Sequence, residues 1–308
     1  MPSEERPRLV RIKAYLERRA LVLQLIRAFF AGQGFLEVDT PVRVAEVAPE
    51  EHITPFRSEG WWLSTSPELH MKRLLAAGYE RIFQIARCFR KGEAGRHHNP
   101  EFTMLEWYRA GGDVQQMMWD TEALTLSIAQ RLGLGAETEF NGRQIDLRAP
   151  WLRVTVRDAF RTAAGWDPIA SPDALRFDVD LATRVIPTLE AGRPVILEGY
   201  PAAMASLARL KPDDPAVAER AEVFVGGLEI ANAYTELNDP REQRARFEAE
   251  AARIRDQGRE ASLPGRFLEA IETLPACGGI ALGVDRLVML MCGTDAIEDV
   301  IAFPADAI

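Results

Sequence analysis

Cysteine and histidine are scarce in this sequence. It has three cysteines, Cys88, Cys277 and Cys292, and four histidines among 308 residues. No two cysteines stand at CxxC spacing, so neither a disulfide framework nor a cysteine-rich zinc module is expected. A reducing compartment fits, and the chain reads as cytoplasmic. No apolar run reaches the roughly 20 residues of a membrane span. The opening MPSEERPR lacks the apolar core of a secretory signal. Basic residues are also in deficit, 37 against 46 acidic ones, for a formal charge of −9. That balance argues against a broad basic surface for a nucleic-acid backbone and leaves room only for a local patch. Internal repeats, low-complexity tracts and Pro/Ser-rich linkers are missing too, so the expectation is one domain over residues 1–308.

What is present is ordinary globular material, 47% hydrophobic and 27% charged, in a chain long enough for a substantial core. Its most telling stretch is RIFQIARCFRKGEAGRHHNPEFTMLEWYR, from Arg81 to Arg109. Two β-like runs, Arg81–Phe89 and Glu101–Tyr108, flank a loop rich in Gly, Arg, His and Asn. Period-two alternation puts Phe83, Ile85 and Phe89 on one face, with Gln84, Ala86 and Arg90 on the other. In the second run Phe102, Met104, Glu106 and Tyr108 share a face. One face of a hairpin would then carry an arginine, an aromatic plane, a carboxylate and a phenol. An arginine fork suits phosphate and a flat ring suits a base; an ordinary surface hairpin fits the same pattern.

Elsewhere the periodicity is simpler. Leu9, Ile12, Leu16, Leu23, Ile26 and Phe30 predict a helix over 8–31, ended by Gly32 and Gly34. Phe35–Thr40 reads as a short strand, 42–60 as irregular, and Trp61–Ser66 as a strand. Ser66 as N-cap and Pro67 at the first helical position open a helix to about Ala77. Glu68 would then be a first-turn acid favoured by the helix dipole, or something more. Asp113–Leu132 is a helix with Val114, Met117, Met118 and Leu124 inward. Residues 133–190 hold a helix near 154–164 and no motif. Val195–Leu197 is a short strand.

EVFVGGLEI, Glu222–Ile230, reads as a hairpin turning at Gly226–Gly227. A two-residue loop pairs Val225 with Leu228 and Phe224 with Glu229, leaving Glu222 and Glu229 as diagonal neighbours about 7–8 Å apart. Two such acids are either a wet surface pair or a seat for a hard cation such as Mg²⁺ carried on ligand phosphates. Glu236, in the continuing ANAYTELND, has the wrong strand parity to join them unless a bulge or bend intervenes. Asp239–Glu242 resembles a capping box before a charged helix to about Gln257. Finally GGIALGV is an apolar strand handing over to a helix at Asp285–Arg286.

These separated stretches together resemble class II aminoacyl-tRNA synthetases. FRKGEAGRHHNPEFTMLEWY resembles their motif 2, GGIALGVDRLVML their motif 3, and GFLEVDTP, ending at Pro41, their motif 1. SPELHMKRLL and GLEIANAYTELND narrow the likeness to the lysyl branch. It covers nearly the whole chain and is weakest over 133–190. The fold it implies is α+β, an antiparallel sheet flanked by helices, and motif 1 implies a homodimer. The catalytic pattern begins near residue 8, which leaves no place for the anticodon-binding domain of lysyl-tRNA synthetases. The chain is therefore similar to the truncated lysyl-synthetase paralogues that attach (R)-β-lysine to elongation factor P. That likeness implies ATP and Mg²⁺, (R)-β-lysine and elongation factor P as reaction partners, no membrane partner and no tRNA. A free-standing lysine activator charging tRNA or another small acceptor, and a catalytically silent regulatory paralogue, stay as alternatives.

Residue by residue, the resemblance makes Arg90 the motif 2 arginine on the α-phosphate and Arg286 the motif 3 arginine, catalytic groups that also bind ATP. Adenine would lie between Arg286 and Phe102. Gly92, His98, Asn99, Ile230 and Gly283 would border ATP, with Glu222 and Glu229 as metal ligands and Glu229 also at the nucleotide. Ser66, Glu68, Tyr108, Asn232, Glu236 and Ala281 would form the amino-acid pocket, Glu68 at the backbone-end amine and Glu236 with Tyr108 at the side-chain ammonium. Ser66 and Ala281 replace the Ala and Gly usual in lysyl-tRNA synthetases, and the paralogues share both changes. The Ala281 methyl is expected to favour a β-amino acid. Gly92 stands where motif 2 usually has Glu, with Glu93 next to it, and Ala233 stands where Gly is usual.

Overall fold

The computed structural model describes residues 5–189 and 192–307. Helices α1 (Glu5–Arg11) and α2 (Lys13–Gly32) replace the single helix expected over 8–31, with the fully buried Ile12 at their junction. Val22, Leu25, Ile26 and Phe30 form the buried stripe of α2. Gly34, at φ 75°, turns the chain after it. The expected strand at 35–40 shrinks to β1 (Leu36–Glu37). Residues 42–60 contain two short strands, β2 (Arg43–Val44) and β3 (Arg57–Ser58), on either side of β4 (Trp61–Leu63).

Helix α3 (Glu68–Ala76) begins one residue later than expected, with Pro67 at its cap. Ser66 still serves the helix start, because its hydroxyl accepts the Glu68 N–H at 3.0 Å. The long hairpin then forms as read: β5 (Arg81–Phe89) pairs antiparallel with β6 (Glu101–Ala110). Helix α4 (Val114–Arg131) follows, capped by the Asp113 carboxylate, which accepts the Gln116 N–H. The stretch without a motif folds into a hairpin, β7 (Glu137–Phe140) and β8 (Arg143–Asp146). It continues through β9 (Leu152–Thr155), α5 (Val156–Ala163) and α6 (Ala174–Asp180). Strands β10 (Val195–Pro201), β11 (Val217–Val225) and β12 (Leu228–Thr235) complete this half. Helices α7 (Pro240–Asp256) and α8 (Gly265–Ala270), strand β13 (Cys277–Gly283) and helix α9 (Val284–Cys292) close the chain.

Eight strands form one sheet in the order β1-β5-β6-β13-β12-β11-β10-β9. The six central strands pair antiparallel, and the two outermost pairs are parallel. The fold is thus the expected α+β arrangement. Period two sorts each strand into two faces. Phe83, Leu105, Trp107, Ala233, Ile280 and Leu282 face the main core, against α2, α4 and α9. Each fully buried large apolar side chain of that layer contributes about 1.5–3 kcal/mol. The opposite face carries Met104, Glu106 and Tyr108, then Gly279, Ala281 and Gly283, then Asn232 and Tyr234, all matched across the strands. One sheet face builds the core, and the other is the floor of a cavity. No helix among the described residues is long and apolar enough to cross a membrane.

Candidate functional site

The cavity over that floor has a volume of about 920 Å³. A shallower depression near His70, Arg73 and Arg266 is lined by Asp39, Thr40 and Pro41 of the motif 1-like stretch and by none of the candidate ATP, metal or amino-acid residues. The main cavity is lined by Ser66, Glu68, Arg90, His98, Asn99, Phe102, Glu222, Glu229, Ile230, Asn232, Ala281, Gly283 and Arg286. Tyr108 and Glu236 lie just beneath it, each 2% exposed. Gly92 does not line it. It sits exposed in the turn at φ 86°, while Glu93 reaches the cavity wall.

The expected parity conflict at Glu236 is resolved by a bulge. Phe224 pairs with Glu229, yet Val223 pairs with Ala231, so Ile230 is an extra residue in β12. Beyond it Glu222 pairs with Asn232. The one-residue shift puts Glu222, Glu229, Asn232 and Tyr234 on the cavity face, and Glu236 follows in the same parity. Glu236 also keeps its backbone tied to β13, donating to the Cys277 carbonyl at 2.9 Å.

One end of the cavity is rich in arginine. The Arg90 guanidinium lies 5.1 Å from the Phe102 ring centroid and donates to the Thr65 carbonyl at 3.4 Å. Arg286 donates to the Glu229 carbonyl at 2.8 Å and to its carboxylate at 3.3 Å, and reaches the His98 ring at 2.6 Å. Burial and the Arg286 charge hold the His98 pKa below its usual value, so its ring is neutral at pH 7. Asp285 anchors this corner: it accepts the Thr103 N–H at 2.7 Å and pairs with Arg19 of α2 at 2.5 Å. The Asn99 amide is engaged within the protein, donating to the Glu101 carbonyl and accepting the Ala305 N–H. A Cβ on Gly283 would meet no protein atom closer than the Arg286 side chain at 3.6 Å, so the floor there is clear.

Glu222 accepts hydrogen bonds from the Tyr200 hydroxyl and from Arg220, both at 2.6 Å, and Arg220 stacks over Tyr200. Burial, outweighing the Arg220 charge, raises the Glu222 pKa, and Glu229 adds to that. No group of three metal-ligating side chains occurs among the described residues. Two carboxylates with lone pairs left over fit a hard cation that brings most of its ligands on phosphate oxygens. The hydrogen bonds to Glu222 are of the kind that orient such ligands.

The other end is rich in carboxylates. Glu106, 1% exposed, accepts from the Ser66 hydroxyl at 2.6 Å and from the Tyr108 hydroxyl at 2.8 Å. Beside it Lys72, also 1% exposed, pairs with Glu68 at 2.5 Å and Glu236 at 2.6 Å. Burial opposes the Lys72 charge, but Glu236 and Glu68 outweigh it and keep the ammonium protonated. Burial and the Glu68 charge push Glu106 up to about 8. Burial raises Glu236 likewise, against the pull of Lys72. Burial is the first cause of both shifts, and the Glu68 charge adds to each. Glycine at 279 is what admits this layer: a Cβ there would lie 2.0 Å from the Glu236 carboxylate and 2.3 Å from the Tyr108 ring. The Asn232 side-chain oxygen Oδ1 is buried without a hydrogen-bond partner, and Ala281 stands between Asn232 and Glu106 in register.

Several site residues escaped the sequence reading. Lys72 follows Glu68 by four residues on α3, a spacing that puts both on one helix face and could have exposed it. Glu106 was visible on the hairpin face but had no role. Arg220 shares strand parity with Glu222, whereas Tyr200 has no local signal. Glu50, in the cavity wall, is raised to about 7 by burial against the lowering charge of Arg90.

The family model for class II tRNA synthetases (D, K and N) matches residues 7–307. The chain belongs to the class II tRNA synthetase family. As a member it is a ligase-class enzyme, and the class implies use of ATP. Three similar proteins are elongation factor P–(R)-β-lysine ligases by name. That of Proteus mirabilis (strain HI4320) is 41% identical over 313 residues, covering 94% of this chain and 95% of the relative. That of Vibrio cholerae serotype O1 (El Tor Inaba N16961) is 39% identical over 307 residues, covering 94% of each. That of Vibrio vulnificus (strain YJ016) is 38% identical over 314 residues, with 94% and 95% covered.

Proposed function

We propose that this class II synthetase activates (R)-β-lysine with ATP and transfers the β-lysyl group to a lysine of elongation factor P. The observation that carries the reading is the division of one cavity into an arginine end and a carboxylate end. Arginines suit a triphosphate, and buried carboxylates suit an amino acid with two ammonium groups. The names of relatives matched over nearly the whole chain support the same acceptor and amino acid.

In the first step a carboxylate oxygen of the amino acid bonds to the α-phosphorus. The bond from that phosphorus to the bridging oxygen breaks, and pyrophosphate leaves. Both reactants are anionic, so catalysis is positioning and charge neutralisation. Arg90 grips the α-phosphate, and adenine lies between Phe102 and Arg286. Glu222 and Glu229 are the residues to hold magnesium, which would neutralise phosphate charge. Glu68, Glu106 with Tyr108, and Glu236 receive the two ammonium groups, and the Asn232 amide is free for the substrate's polar end. In the second step a neutral lysine amine of the acceptor attacks the carbonyl carbon. AMP leaves, and the amine gives up one proton. The described residues assemble around one sheet, which supports treating the chain as one catalytic unit. The residues from Gly34 to Pro41 are the proposed dimer contact.

ATP–pyrophosphate exchange with (R)-β-lysine and with α-lysine, followed by transfer to elongation factor P and to tRNA, tests the reading. Exchange with (R)-β-lysine and labelling of the factor are expected. Arg286→Ala is expected to lose exchange while the protein stays folded. Absence of exchange with both amino acids sinks the enzyme reading. Efficient tRNA charging without labelling of the factor would transfer the assignment to a tRNA-charging activator.

A further inference from the structure

Lys72 is a buried cation with no place in the reaction just described. It reaches the cluster from α3, its side chain is inaccessible, and its ammonium bridges two carboxylates that arrive from different elements. The charged and titratable groups around it come from every wall. They are Glu68 on its own helix, Glu236 from the end of β12, Glu106 from β6 and Cys277 from β13, while Tyr108 from β6, Tyr234 from β12 and Glu50 from the loop before β3 act on Glu68. Fully ionised, the three carboxylates nearest the amino-acid end carry three negative charges. Lys72 cancels one of them and leaves two.

We propose that Lys72 is a positioning residue that fixes at two the number of ammonium groups the pocket neutralises, and that holds Glu68 and Glu236 aimed to receive them. The inference rests on the functional reading above and deepens it. It explains why three acids, two of them buried, serve a diamino substrate. A third acid is needed to hold the internal ammonium, and that ammonium locks α3 to the end of β12 so that the pocket exists before substrate arrives. In the empty site the two surplus charges are met by protons, consistent with the upward displacement of Glu106 and Glu236. Each docking ammonium then displaces a proton from a carboxyl group.

Lys72→Met in the full chain tests this, since it keeps most of the aliphatic stem and removes the charge. In ATP–pyrophosphate exchange the KM for (R)-β-lysine should rise tenfold or more at pH 7.5, with the KM for ATP within twofold of wild type. The raised KM should fall as pH is brought toward 9, because carboxyls deprived of their ammonium hold protons that the substrate must displace. An amino-acid KM within threefold of wild type, or a raised KM that does not move with pH, assigns Lys72 to packing and overturns the proposal. Should circular dichroism find the variant unfolded, wild-type protein supplies the decisive measurement. Calorimetry in two buffers of different ionisation enthalpy compares (R)-β-lysine with 6-aminohexanoic acid, which has one ammonium group fewer. Greater proton release with (R)-β-lysine is expected, and equal release, or none, overturns the proposal. Failure of the functional reading is distinguishable, because wild type would then show no exchange with either lysine.

Discussion

At the scale of single residues, the carboxylate end of the cavity is shaped by small groups among large charges. Ala281 places a methyl between Asn232 and Glu106, at the centre of the floor. On the proposed reading, a methyl there takes up the space that an amine on the α-carbon would need and leaves the β-position free. One methylene-sized change in a pocket alters discrimination by about 1–3 kcal/mol. Ala281→Gly should therefore shift the ratio of kcat/KM values for α-lysine over (R)-β-lysine by about tenfold or more toward α-lysine. The two exchange assays measure it, and an unchanged ratio removes the pocket argument. Ser66 works differently. Its hydroxyl both accepts from the start of α3 and donates to Glu106, so one oxygen ties the helix to the carboxylate.

At the scale of elements, the site depends on how closely strands approach. Residue 279 on β13 has Glu236 on one side and Tyr108 on the other, and only hydrogen fits between them. Gly279→Ala forces one of these to move, and overpacking of this kind costs about 1–3 kcal/mol. The variant should melt several degrees lower, and its amino-acid KM should rise while its ATP KM holds. Scanning calorimetry and exchange kinetics check the two halves of that expectation. An unchanged melting temperature would mean that the layer is looser than the contacts imply. The Ile230 bulge has a comparable influence. It converts a strand whose acids would alternate between faces into one that presents them all to the cavity.

At the scale of the whole molecule, distant segments are tied to the arginine end through Asp285. That carboxylate joins the first turn of α9 to β6 through Thr103 and to α2 through Arg19, linking the first helices, the hairpin and the last helix. The Arg19 and Asp285 side chains are only 13% and 3% exposed. Removing one partner of a buried pair costs about 3–5 kcal/mol, because the other is left uncompensated. Arg19→Met should lose about 3 kcal/mol of stability, the lower end, since Asp285 keeps its bond to Thr103. Chemical denaturation measures the loss. A change under 1 kcal/mol would show that water already screens the pair.

Much of this protein was legible in its sequence. The two strands and their faces over 81–109, the Gly226–Gly227 turn and the handover from strand to helix at Asp285–Arg286 follow from period-two alternation and turn chemistry, which act between near neighbours. The residue types at those places also carried the family resemblance, and with it the expectation that Arg90, Phe102, Glu229 and Arg286 share one site; all four line one cavity. Residues 133–190 were not legible, because short strands such as β7 to β9 take their identity from partners elsewhere. The bulge at Ile230 was needed but could not be located, since it exists only as a mismatch between two strands. Lys72 shows the same limit. Its spacing from Glu68 was written in the chain, but its second partner, Glu236, is more than 160 residues away. Strand parity and turns are local and were settled by the sequence alone. Which buried charges meet, and whether they balance, is a long-range matter that only the tertiary structure decided.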